Sequence, residues 1–164
     1  MKVLVTGSSG YIGRSLCSAM DLGGYEVLGL DTRAGPATTV VGDITQLASL
    51  REALVEIRPQ AVVHLAALAS VPECESNPLA CIETNIRGTM NVARVAAEVG
   101  ARFVFASTAA VYGGAQIEPS RVDQPLRPDN AYGASKAVGE EIVARISSDY
   151  AILRLFNVYG GPCG

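Results

Sequence analysis

The chain has 164 residues, of which 49% are hydrophobic and 18% charged, with a net charge of −3. That length fits one domain, 1–164, with a real core. The slightly acidic balance lacks the basic excess by which a nucleic-acid binder is recognised. The longest apolar run, residues 61–71, is interrupted by His64 and too short to span a bilayer, and the N-terminus has no signal-peptide core. No membrane association is expected, and a cytoplasmic location is the default. Four cysteines without C-x-x-C spacing, beside a single histidine, read as reduced structural thiols, with no metal site.

In chain order, Lys2–Thr6 reads as a β-branched strand, followed by a Gly-rich turn and a helix over Tyr11–Leu22. Ile12, Leu16 and Met20 form the apolar stripe of that helix, and Gly23-Gly24 stops it. Strands follow at 25–30 and Thr38–Val41. Thr45 is the expected cap of a helix reaching residue 58, with Leu47, Leu50, Leu54 and Ile57 on its apolar side. Residues 61–66 are an almost unbroken apolar strand, as suits a sheet covered on both faces. Asn77-Pro78 pairs a capping side chain with proline in the first turn, opening a long helix to about residue 99. Its expected core side is Leu79, Ile82, Ile86, Ala93 and Ala97. A strand at 102–106, a long polar loop at 113–129, a helix over Ala131–Ile146 capped by Asp129 or Asn130, and a strand at 150–156 complete the series. Strands alternating with helices predict an α/β fold, a doubly wound parallel sheet.

Two places carry chemistry. The first is the turn Gly7-Ser8-Ser9-Gly10-Tyr11-Ile12-Gly13 between a strand and a helix, the context a dinucleotide site requires. Gly7 permits a tight turn, Gly10 lets a pyrophosphate reach the backbone, and Gly13 lets the helix pack closely. The helix start offers N–H groups and a positive dipole end to phosphate. Asp31 ends the second strand, where a carboxylate binds ribose hydroxyls and disfavours the extra phosphate of NADP. NAD is the expected cofactor, although Arg33 lies near enough to accommodate a phosphate. The second place is Tyr132 and Lys136, four apart and on one side of a helix. There a phenol can exchange protons with a substrate hydroxyl, and the cation is expected to lower the phenol's pKa. His64 and Tyr112 read as packing residues.

With these residues placed, the chain resembles the extended short-chain dehydrogenase/reductase family, in its sugar-nucleotide epimerase/dehydratase branch. The matching segments are residues 5–13, 42–44, 64–67, Asn85, 107–113, the Tyr132/Lys136 pair and 153–160. The resemblance implies a Rossmann domain in which Asp43 and Ile44 flank the adenine and Leu65, Ala66 and Ala67 line the path to the nicotinamide. It implies that Asn85 faces the cofactor or the sugar, and that Thr108 holds the reacting sugar oxygen. Tyr132 becomes the acid/base, Lys136 holds the nicotinamide ribose, and Asn157 helps bind a substrate phosphate. The implied reaction is epimerisation of a nucleotide sugar by transient oxidation with recycled NAD. Ala109 and Ala110 follow Thr108 where related dehydratases carry acidic residues, which disfavours dehydration. Other readings are reduction of a small carbonyl substrate and a non-catalytic dinucleotide-binding module. Family members run to about twice this length, so the expectation is a truncated chain without its substrate lobe. Such a chain is expected to form a homo-oligomer, a dimer through the helices at 77–99 and 131–146.

Overall fold

In a computed structural model of the chain, residues 1–114 and 119–160 are described. At the centre of the sheet lies β1 (Lys2–Thr6), whose residues Val3 to Thr6 are fully buried. On one side it pairs with β2 (Glu26–Asp31), which pairs with β3 (Thr38–Val41). On the other side lie β4 (Ala61–His64), β5 (Arg102–Thr108) and β6 (Tyr150–Leu155). Every pairing is parallel, and the order β3-β2-β1-β4-β5-β6 reverses direction at β1. A crevice opens there beyond the carboxyl ends of β1 and β4, the usual ligand position in such sheets.

Helices cover both faces. On one face α1 (Tyr11–Leu22) packs Cys17 with half-buried Leu16 and Met20 against Val3, Val5 and Ala61. The other face holds α2 (Leu47–Ile57), α5 (Thr89–Glu98) and α6 (Ala131–Ile146). Between them lies the larger core of Leu4, Leu30, Leu50, Leu54, Val62, Val92, Phe103 and Phe105. Strand and helix ends fall within one or two residues of the expected ones, the usual scatter at element boundaries. No helix among the described residues is long and apolar enough to cross a membrane.

Three local features differ from the sequence expectation. Thr45 does not cap α2: its N–H and hydroxyl both donate to Asp43 Oδ1, at 2.8 and 2.9 Å, closing an Asx turn one step earlier. A short helix, α3 (Val71–Ser76), precedes Asn77, and its start is capped by Ser70. The long helix is composite. After α4 (Pro78–Cys81), capped by Asn77, comes a π-helical stretch, Ile82–Gly88, and then α5.

The core side of that composite helix is also not the expected one. Leu79, Ile82 and Ala97 are exposed, whereas Cys81, Asn85, Gly88, Thr89, Val92 and Ala96 face inward with Ala93. The reason is physical: Asn85, Thr89 and Asn91 are polar yet have buried partners, so their burial costs little. Asn91, for example, donates to the Ile44 carbonyl at 3.0 Å. Hydrophobic periodicity weighs only apolar residues and selects the wrong side. Of the expected residues only Ala93 is fully buried; Leu79 and Ile82 instead form, with Met90, an apolar stripe that points away from the core.

Candidate functional site

The turn after β1 is built by close backbone approach. Gly7 sits at φ +76°, and a Cβ there would lie 2.7 Å from the Ala66 nitrogen. A Cβ on Gly13 would overlap the Gly7 carbonyl oxygen. Two glycines are therefore required by the backbone itself, and they bring the start of α1 onto the end of β1. Gly10, at the cap position, has no side chain to close that start, and the first residues of the helix line the crevice. This is an anion cradle of the kind that fits a pyrophosphate.

A cavity of about 550 Å³ runs along the crevice from this turn. At one end stand Gly7, Gly10, Tyr11, Ile12, Gly13, Asp31, Asp43 and Ile44, and at the other Thr108, Tyr132 and Lys136. Leu65, Ala66 and Ala67 line it between them. Residues separated by more than one hundred positions in sequence thus share one space. Asp31 is nearly buried, and its carboxylate accepts the Ser9 and Arg33 N–H groups, each at 3.0 Å. The Arg33 guanidinium lies 4.0 Å from it and is largely exposed. The glycine cradle, the uncapped helix start and a fixed acid at the tip of β2 fit a dinucleotide with free ribose hydroxyls.

Tyr132 is half-buried and lines the cavity beside Thr108. Lys136 is almost fully buried; its ammonium donates to the Ala106 carbonyl at 2.9 Å and lies 4.8 Å from the centre of the Phe105 ring. Burial brings the Lys136 pKa down to about 8. The phenol departs from the expected direction. Burial raises the Tyr132 pKa above its ordinary value, and the neighbouring Thr108 side chain only partly offsets this. Desolvation of the phenolate therefore decides the direction, and Lys136 is not among the groups that shift it.

Two expected residues lie elsewhere. Asn85 is fully buried and does not line the cavity. Its side chain accepts the Leu68 N–H at 2.8 Å, donates to the Leu68 carbonyl at 3.0 Å and reaches Ser135 Oγ at 3.0 Å. It thereby ties the loop after β4 to the residue preceding Lys136. Asn157 is exposed and outside the lining. The cavity instead includes Thr84, Ala69 and Phe156. Thr84 sits in the π-helical stretch, a feature often found at functional sites, and hydrophobic spacing carries no signal for it.

Behind the pair, Ser107 donates to Glu140 at 2.5 Å, and Arg154 forks onto the same carboxylate with contacts of 2.8 to 3.3 Å. Arg154 also reaches Tyr112 Oη at 2.9 Å and the Val122 carbonyl at 2.8 Å. Cys17, Cys74 and Cys81 are free and buried, and burial beside Cys81 pushes the Cys74 thiol up to about 12. Cys163 lies outside the described residues. Among the described residues, no group of three or more His, Cys, Asp or Glu is arranged to hold a metal ion.

Known proteins share this architecture. Spore coat polysaccharide biosynthesis protein SpsK of Bacillus subtilis (strain 168) is 36% identical over 159 residues, covering 97% of this chain and 54% of that protein. dTDP-4-dehydrorhamnose reductase of Streptomyces griseus is 37% identical over 166 residues, covering 97% and 51%. The crystal structure of UDP-glucose 4-epimerase from Brucella ovis in complex with NAD superposes with a TM-score of 0.90 at 29% identity, covering 95% of this chain and 52% of that one. The chain thus spans about half the length of the relatives it matches. Residues 3–162 match the family model that describes these folds, and with the glycine cradle and the Tyr132–Lys136 pair on one cavity, the chain belongs to the NAD dependent epimerase/dehydratase family.

Proposed function

We propose that this chain is the NAD-binding and proton-transferring part of a nucleotide-sugar epimerase, acting by transient oxidation of a ring hydroxyl. The observation that carries the reading is the shared cavity: the cradle of Gly7, Gly10 and Gly13 at one end and Thr108, Tyr132 and Lys136 at the other. NAD, when bound, supplies the acceptor and donor of hydride. The chain's own residues do the rest. Asp31 receives the adenosine ribose hydroxyls, and Asp43 and Ile44 flank the adenine. Lys136, held by the Ala106 carbonyl, presents its ammonium to the nicotinamide ribose. Thr108 holds the sugar oxygen, and Tyr132 in its phenolate form accepts the proton from that oxygen and later returns it as the phenol.

A reductase acting on a keto sugar is the second reading, supported by the 37% identity with dTDP-4-dehydrorhamnose reductase. It uses the same Tyr132 as proton donor. Incubating the chain with NAD and either UDP-glucose or UDP-galactose separates the two. Interconversion of the sugars supports the epimerase, while consumption of reduced cofactor with a 4-keto sugar supports the reductase. Turnover with neither reduces the chain to a dinucleotide-binding module. Calorimetric titration is expected to show NAD binding at least about tenfold tighter than NADP, a difference of 1.4 kcal/mol; the reverse order would remove Asp31 from its role.

The outward stripe of Leu79, Ile82 and Met90, together with exposed Val138 on α6, supports association of two copies through these helices. Sedimentation at assay concentration is expected to give a dimer, and a strictly monomeric chain would discard this surface.

A further inference from the structure

We propose that His64 is a positioning residue that locks the cofactor turn to the π-helical stretch behind Tyr132 and Lys136, through a buried hydrogen-bond chain whose protons all run one way. The proposal rests on the cofactor reading above for its functional consequence, but not for its structure.

The proton positions follow by elimination. Thr89 Oγ1 lies 2.6 Å from the Asn85 carbonyl oxygen, which can only accept, so the single hydroxyl proton of Thr89 points there. His64 Nε2 lies 3.0 Å from the same Thr89 oxygen and must therefore donate to it. A neutral imidazole has one ring proton, so Nδ1 is an acceptor. The Thr6 hydroxyl, 2.7 Å away, donates to it. Thr6 Oγ1 then accepts the Ala66 N–H at 3.3 Å. Every group is satisfied, and no other assignment satisfies them all. Thr6, His64, Asn85 and Thr89 are fully buried, so water cannot substitute for any link. The ring stays neutral, because burial and the nearby Lys136 charge bring its pKa down to about 3.

Both ends of the chain reach the site. Thr6 immediately precedes Gly7, and Ala66 lines the cavity. At the other end, the Asn85 side chain grips Leu68 and Ser135, the neighbour of Lys136. His64 touches neither cofactor nor substrate space. It fixes the distance between the pyrophosphate cradle and the helix that carries the acid/base pair.

The chain contains one histidine, so nitrogen NMR of the labelled protein reports this ring alone. The expected spectrum is a neutral Nε2–H tautomer that does not titrate across the range where a free imidazole does. In Thr89→Val the Nε2 proton loses its acceptor. That variant is expected to shift toward a mixture of tautomers and to bind NAD about tenfold more weakly. Thr89→Ser retains the hydroxyl and is expected to restore both readouts. An Nδ1–H tautomer, a titrating ring, or NAD affinities that are equal in the Val and Ser variants and the parent would each overturn the proposal. If the parent binds no NAD, the cofactor reading fails, and the ring spectrum still decides the hydrogen-bond chain. If Thr89→Val does not fold, the parent's spectrum decides it likewise.

Discussion

A Tyr132→Phe chain is expected to bind NAD within a few-fold of the parent and to lose hydride exchange with nucleotide sugar by about a hundred- to ten-thousandfold. The phenyl ring keeps the packing of a half-buried side chain and removes only the hydroxyl. No protein group among those lining the cavity replaces it. Lys136 is anchored to the Ala106 carbonyl and serves the ribose, and Thr108 also accepts the Ala110 N–H. The check is rapid mixing with UDP-glucose, following the absorbance of reduced nicotinamide, alongside calorimetry with NAD. Equal loss of binding and exchange would show that the substitution damaged the cavity rather than the chemistry.

The second large effect concerns stability. Arg154→Met is expected to cost about 3–5 kcal/mol, because it leaves the Glu140 carboxylate buried without its cation. Glu140 is 6% exposed, and Arg154 supplies a bidentate pair to it. The same guanidinium also satisfies Tyr112 Oη and the Val122 carbonyl, so its removal loosens the turn after β5 and the loop beyond it. In the double variant Glu140→Met, Arg154→Met no charge is stranded, and most of the loss should be recovered. Urea unfolding of the two proteins tests this directly through the shift of midpoint at constant slope. A double variant as unstable as the single one would mean that the pair's other contacts, not the buried charge, carry the effect.

The sheet was legible because its evidence is local. Val3 to Val5 running into Gly7 names a strand and a tight turn in a few residues, and the alternation of such units names the fold. The positions of Tyr132 and Lys136 were legible for the same reason, since helical spacing alone puts them on one side. What was not legible depends on partners far away in sequence. Asn85 looks like a polar residue on a helix flank until Leu68 and Ser135, the latter 50 positions on, are seen to satisfy it. Thr89, Ser107 and Glu140 are buried for the same kind of reason, and no periodicity announces them. The direction of the Tyr132 pKa was misjudged because a sequence displays the neighbouring charge but hides the desolvation that opposes it.

The central position of β1 bears on how the protein is made. Its partner on one side, β2, is synthesised soon after it, but the other, β4, follows much later, with Val3 aligned to Ala61. Such distant pairings close slowly, because loop entropy is spent before contacts repay it. A nascent chain emerging from the ribosome therefore carries its central strand half-paired until residue 64 has appeared, and the phosphate cradle, which leans on Ala66, matures only after that.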